Sequence, residues 1–234
     1  MGDFLASENN GIIEAISGTI PHKNHPTFAI FDGMGGEQQG EVAAYISATT
    51  FDAFYKESSK NDIKHFLSAA CTNMNDAICS HVQEQRIRSS GSTAAIITFG
   101  KKDIYICNIG DSRIYQYSDK ILTQISHDHS ATGFTDRKPP LTQNLGIPKT
   151  EFVISPYISK GIYKNHDTYL ICSDGLSDMV TDEEIGETLG SDTDIKKSAE
   201  KLMQKALNAG GQDNITIILC KIQKQNIFNR YRRV

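Results

Sequence analysis

Apolar positions along the chain change period several times, and each change marks an element. Thr27 to Phe31 (TFAIF) is a short apolar run ending at Asp32-Gly33, as expected of a buried strand closed by a turn. From Gly40 the spacing becomes helical, and Val42, Ala43, Ile46, Phe51, Phe54 and Tyr55 predict a helix to about Lys56. Asp62 to Gln85 repeats that pattern through Ile63, Phe66, Leu67, Ala70, Met74, Ala77, Ile78 and Val82, with Asn61 or Asp62 as its cap. The period then falls to two. Ser92 to Phe99, Asp103 to Ile109, Ser112 to Tyr117 and Ile121 to Thr123 read as an antiparallel meander, with tight turns at Gly100-Lys101-Lys102, Gly110-Asp111 and Ser118-Asp119-Lys120. Residues 126–149, polar and carrying Pro139-Pro140, read as an ordered surface loop of the length that usually serves function. Thr168 to Ser173 (TYLICS) is another buried strand ending at Asp-Gly. Asp182 to Leu189 and Asp192 to Ala209 read as helices, the second capped by Asp192 or Thr193, and Asn214 to Ile222 as a final strand. Strands grouped with paired helices predict two antiparallel sheets with helices outside.

Composition narrows the classes. The 234 residues are 38% hydrophobic and 22% charged, enough for a sizeable core without staples. A formal net charge of −4 argues against a nucleic-acid partner. The five cysteines are odd in number, form no Cys-x-x-Cys pair and fall partly inside apolar runs, so they read as buried thiols in a reducing compartment. Met1 to Asn10 is mixed and polar, unlike a secretory signal, and no apolar run approaches the roughly 20 residues of a membrane span. A cytoplasmic protein is expected.

The chemistry sits where apolar runs meet aspartates. Asp32 follows TFAIF, Asp174 follows TYLICS, and Asp213 precedes ITIILC. A carboxylate gains nothing from an apolar neighbourhood unless something pairs with it. Three of them at strand ends, with no His/Cys cluster, suit Mg²⁺ or Mn²⁺, hard cations that take one or two carboxylates and several waters. Glycines after Asp32 and Asp174 permit a sharp turn and close approach of a carbonyl. Any single Asp-Gly is more simply a turn; the combination of DGMGG, NIGDSR, SDGLSD and GGQDN is not.

These segments carry a resemblance. FAIFDGMGGEQQGEVAA, GSTAAIITF, YICNIGDSRIYQY, LTQISHDHS, LICSDGLSDMVTDEEI and GGQDNITIILCKI, in that order, make the chain similar to the metal-dependent protein phosphatases of type 2C, bacterial branch. The resemblance implies an α+β fold: a four-layer α/β/β/α sandwich with two central antiparallel sheets flanked by helix pairs. It implies a catalytic domain over residues 1–225, with 226–234 as a basic tail. It implies a binuclear Mn or Mg site, with Asp32 bridging, the Gly33 carbonyl and Asp174 and Asp213 as further ligands, and Asp111 with Asp174 at a third ion. The implied reaction is hydrolysis of phosphoserine and phosphothreonine in proteins by a metal-activated water, with no covalent phosphoenzyme. Implied partners are phosphoproteins, those of a serine/threonine kinase, for a monomer without nucleic acid or membrane span.

The chain departs from the pattern near its start. Relatives carry an arginine and an Asn-Glu-Asp-like triplet before DGMGG; here the first arginine is Arg86. Asp3 is the candidate for the acidic position, with Glu8 a weaker one. A second arginine of the pattern is replaced by Gln143 in LTQNLG. Arg137 and Lys138 in the preceding loop are the candidates to compensate at the substrate phosphate. Either a preceding segment lies outside this chain or the protein does without the arginine and binds phosphate more weakly. A regulatory phosphatase with one dedicated substrate, a degenerate member that binds phosphoproteins without hydrolysis, and a hydrolase of small phosphoesters are the alternatives. His127-Asp128-His129 reads as a loop-start motif whose histidine orients backbone rather than as a ligand cluster, His22 and His25 as exposed turn residues, and Ser92 and Thr93 as structural hydroxyls. Asp178 is either a neighbour supporting Asp174 or a helix cap.

Overall fold

The computed structural model describes residues 18–20, 25–34, 38–133, 138–191 and 194–223. In chain order the elements are β1 (Thr27–Ile30), α1 (Gly40–Glu57), α2 (Ile63–Gln85), β2 (Ala94–Phe99), β3 (Asp103–Ile109), β4 (Arg113–Ser118) and β5 (Ile121–Gln124). There follow β6 (Tyr157–Ile162), β7 (Thr168–Cys172), α3 (Asp174–Ser177), α4 (Asp182–Ser191), α5 (Ile195–Asn208) and β8 (Ile217–Lys221). The strands form two four-stranded sheets, ordered β1-β2-β3-β6 and β5-β4-β7-β8, and every pairing is antiparallel.

Alternation along the central strands builds three apolar layers. In β2, Ala95, Ile97 and Phe99 face the second sheet and meet Ile114, Tyr169 and Ile171, while Ala94 and Ile96 face outward. α1 and α2 cover that outer face through Phe51, Phe66, Leu67, Met74 and Ile78. In β7 the same alternation sends Tyr169 and Ile171 inward and Leu170 and Cys172 out against Leu176, Ile185, Leu202 and Ala206. A period of two on both faces of a strand is the reason these runs read as continuously apolar. The four-layer α+β arrangement expected from the resemblance is present.

Local chemistry sets the boundaries. Asp62 caps α2 by accepting from the His65 N–H at 3.1 Å. Thr181 and Glu184 form a reciprocal capping box at α4, with Glu184 N–H donating to Thr181 Oγ1 at 3.3 Å and Thr181 N–H to Glu184 Oε2 at 3.1 Å. For α5 the cap is Asp194, which accepts from Lys196 N–H at 3.0 Å; the expected Asp192 and Thr193 lie outside the described residues. Asp119 and Lys120 both have positive φ, 51° and 67°, as the two-residue β4–β5 hairpin requires.

Two elements went unpredicted. β6 is an edge strand whose sequence, YISKGI, carries a lysine and a glycine and leaves Tyr157 and Ile162 exposed. α3 is a single turn. The last strand is shorter than expected and begins at Ile217; just before it, the Thr216 carbonyl accepts from Ser173 N–H at 3.1 Å, and Thr216 N–H donates to Ser173 Oγ at 3.0 Å in place of a backbone carbonyl.

Candidate active site

The aspartates expected to act together are brought together by the ends of β1, β3 and β7 and the entry to β8. Asp32 leaves β1, and its backbone carbonyl accepts from Thr93 N–H at 2.8 Å while its own N–H donates to Thr93 Oγ1 at 3.2 Å. Thr93 Oγ1 lies 2.7 Å from Ser112 Oγ, which ties the Asp32 turn to the Gly110-Asp111 turn between β3 and β4. Thr93, read from sequence as structural, is thus the hinge pin of the site. Gly33 has no room for a side chain: a Cβ there would stand 2.2 Å from the Gly40 carbonyl oxygen at the start of α1. Gly175 is equally constrained, its Cβ position lying 2.2 Å from the Asn214 carbonyl oxygen. That close approach, with Ser173 Oγ donating to the Asn214 carbonyl at 3.1 Å, sets the Asp174 turn beside the Asp213-Asn214 loop.

Charge reports the convergence. Burial first, then the neighbouring carboxylates of Asp174, Asp213 and Asp111, push the Asp32 carboxyl up to about 8. Asp111 is also raised, by burial first and then by Asp174, with Lys138 opposing. One Asp174 oxygen, Oδ1, is buried without a hydrogen-bond partner. Lys138 donates to Asp174 Oδ2, and its Nζ lies 3.0 Å from Asp178 Oδ2 and 3.5 Å from Asp111 Oδ2. Burial works against the lysine's charge, but these hydrogen bonds outweigh it and hold its pKa above the usual lysine range.

Such an excess of carboxylate over cation stays ionised only if more positive charge arrives. The donor set is all oxygen, it includes a buried orphan acceptor, and it suits Mg²⁺ or Mn²⁺. Among the described residues, no three His, Cys, Asp or Glu groups form a ready ligand cage around one ion.

Asp3, Glu8, His22, Arg137 and the tail 226–234 lie outside the described residues. His129 orients backbone: it is 8% exposed, its Nδ1 accepts from Gly110 N–H at 3.2 Å, and its own N–H donates to the Gly110 carbonyl at 3.0 Å. Asp128 instead holds Arg113, with Nε donating to Oδ2 at 2.9 Å. Arg113 Nη1 also donates to the Tyr115 hydroxyl at 3.1 Å, which donates to Asp182 Oδ1 at 2.8 Å. Gln143, at the place of the missing arginine, accepts from Ser155 N–H at 2.6 Å through Oε1. Sequence reasoning left Asp178 undecided and missed its pairing with Lys138; the only available signal was its i+4 spacing from Asp174 across a helical turn. A cleft of about 120 Å³ lies beside the carboxylates, lined by Asp111, Arg113, Asp128, Ser130 and Lys138. A larger depression between β5 and α4, about 730 Å³, contains none of the converging aspartates.

The model of the protein phosphatase 2C family matches residues 17–219. The chain belongs to the protein phosphatase 2C family. It is 30% identical over 230 residues to the serine/threonine protein phosphatase PstP of Mycobacterium tuberculosis, covering 94% of this chain and 45% of that protein. The chain therefore spans about half the length of that family member. It is 29% identical over 233 residues to the serine/threonine phosphatase stp of Listeria monocytogenes, covering 91% of this chain and 89% of that one. Among solved family structures, the mycobacterial PstP/Ppp superimposes with a TM-score of 0.75 at 28% identity, covering 88% of this chain and 94% of that chain. The catalytic domain of PstP, solved in complex with two manganese ions, gives 0.71 at 28% identity over 88% of this chain and 94% of that chain.

Proposed function

We propose that this chain hydrolyses phosphoserine and phosphothreonine in proteins with the help of Mn²⁺ or Mg²⁺. The observation that carries the reading is Asp32: a carboxyl pushed up to about 8 by burial and by three neighbouring aspartates. That arrangement is unfavourable in a structural role and useful in a cation site. Asp32, Asp174 and Asp213, with the Gly33 carbonyl, are the assigned holders of two ions, and Asp111 with Asp174 of a third. When bound, such ions lower the pKa of water toward neutrality and offset charge on the phosphoryl oxygens.

The chain's own part is positional. Thr93 and Ser112 fix the Asp32 and Asp111 turns relative to each other, and the Gly175–Asn214 contact fixes Asp174 beside Asp213. As a metal ligand Asp32 would be ionised. Of the two loop cations expected at the substrate phosphate, Arg137 keeps that assignment, and Lys138 is already held by three carboxylates. The relatives' names support phosphoprotein substrates. No described helix is long and apolar enough to cross a membrane. Action as a cytoplasmic monomer opposing a serine/threonine kinase belongs to the same proposal, as does a catalytic domain ending near residue 225. Gln143, which stands where the pattern has its second arginine and is held by Ser155 N–H, supports a second reading, a degenerate member that binds a dedicated phosphoprotein with weak or no catalysis.

Hydrolysis of a phosphothreonine peptide and of p-nitrophenyl phosphate, with Mn²⁺ and with excess chelator, separates the two. Metal-dependent turnover that disappears in Asp174→Ala is expected. Metal binding without turnover would replace the hydrolytic reading with the degenerate one.

A further inference from the structure

Lys138 stands among the carboxylates in a way the hydrolytic reading does not use. Its ammonium is shared by Asp111, at the β3–β4 turn, and by Asp174 and Asp178, at the two ends of α3. An ammonium is a compact point charge with three donors on a flexible stem. The side chains of Asp111 and Asp174 are each 13% exposed, whereas that of Lys138 is 47% exposed. The charge is therefore placed inside a polar corner while much of the side chain remains at the surface. Among the described residues, its ion pairs stop at this corner and none joins it to Asp32 or Asp213.

A divalent ion held by Asp111 and Asp174 would need the oxygens that Lys138 occupies. Positive charges a few ångströms apart inside a partly buried site repel strongly, so the two occupants exclude each other. We propose that Lys138 is a built-in competitor for divalent metal at the Asp111, Asp174 and Asp178 corner: the lysine supplies the positive charge this corner requires, and Mn²⁺ or Mg²⁺ enters there only by displacing it. This rests on the metal assignment of Asp111 and Asp174 made above. It makes the corner the weakest metal position of the site, and because Lys138 pairs with Oδ2 of Asp174, Oδ1 stays available to the ion shared with Asp213.

Calorimetric titration with Mn²⁺, together with electron paramagnetic resonance to count bound ions, tests the proposal on the wild-type chain, Lys138→Met and Lys138→Arg. Methionine keeps the stem without the charge. Its weakest Mn²⁺ step is expected to tighten about tenfold, equivalent to about 1.4 kcal/mol, with the tighter steps unchanged and Lys138→Arg close to wild type. Adding Asp111→Asn to Lys138→Met should remove the gain. Superimposable isotherms for wild type and Lys138→Met would overturn the proposal. So would an unchanged isotherm with a raised KM for the phosphopeptide, which would make Lys138 a substrate contact. If neither protein binds Mn²⁺, the metal assignment falls and this inference falls with it. If Lys138→Met gains Mn²⁺ affinity but neither protein hydrolyses a phosphopeptide, the competition stands and the hydrolytic reading is the one that fails.

Discussion

Strand β7 has a little-exposed aspartate near each end, and the two are treated in opposite ways. Asp167, just before the strand, is 3% exposed and fully served by neutral donors. Its carboxylate accepts from Ser118 Oγ at 2.6 Å, Lys164 N–H at 2.8 Å and the Gln116 amide at 3.0 Å. Asp174, just after the strand, has one oxygen with no partner, the other on Lys138, and further aspartates around it. A buried carboxylate whose hydrogen bonds are complete ties loops and strands together. One left incomplete among like charges has unused capacity for a cation. The contrast sets a structural acid apart from the one proposed here as a metal ligand.

The largest expected effect breaks the contrast at the functional end. Asp174→Ala should lower kcat/KM for a phosphopeptide by on the order of a thousandfold, with little loss of thermal stability, since it removes charge repulsion as well as a ligand. Asp167→Ala should do the reverse. It strands a serine hydroxyl, an amide and a backbone N–H, which should destabilise the fold by about 3 kcal/mol and lower Tm by roughly 10 °C. Turnover per folded molecule should stay near wild type. Denaturant melts and initial rates on both variants decide it, and equal losses in both properties for both variants would erase the distinction.

Metal and pH sharpen the same comparison. Mn²⁺ at a hundredfold excess over its Kd should stabilise the wild type by about 2.7 kcal/mol, stabilise Asp174→Ala much less, and shift Asp167→Ala by as much as wild type. In chelator, Asp32 adds a pH dependence of a stated sign. Its carboxyl lies at about 8 in the folded protein, above its unfolded value, so between the two the native state binds the extra proton. That contribution is fully present below the unfolded pKa and is lost as pH rises through about 8. The chelated protein should melt lower at about pH 8 than at about pH 5 on this account, and Mn²⁺ should flatten or reverse the trend. A chelated protein whose stability rises steadily over that range would contradict the state assigned to Asp32.

Much of this was legible in the sequence, and the division has a physical cause. β2, β3 and β7 announce themselves because both their faces are buried, and Asp32, Asp174 and Asp213 stand out because they interrupt such runs. β6 stayed hidden because an edge strand with exposed positions has no apolar period to show. Asp167 was hidden for another reason. It follows Lys164-Asn165-His166 and looks like any turn residue, while its partners Gln116 and Ser118 come from β4, about fifty positions earlier. The pairing of Lys138 with Asp111 and Asp174 is of the same kind, set by how a loop lies across the sheet ends rather than by local spacing.

The smallest predicted effect concerns one hydrogen bond at the structural end. Ser118→Ala removes the shortest of the Asp167 contacts, 2.6 Å to Oδ1, but leaves the Gln116 amide and the Lys164 N–H on Oδ2. A hydrogen bond to a charged group contributes about 1.5–3 kcal/mol. Ser118 is only half-buried, so water offsets part of the loss and a destabilisation near about 1.5 kcal/mol is expected. Combined with Asp167→Ala, the serine change should cost almost nothing further, because the hydroxyl no longer has its acceptor. Combined with Asp174→Ala, the two effects should simply add, since they act at opposite ends of β7. Stability measured for the four single and double variants gives both coupling energies. Strong coupling of Ser118 to Asp174 would mean that the two ends of the strand are not independent and that the structural acid also supports the site.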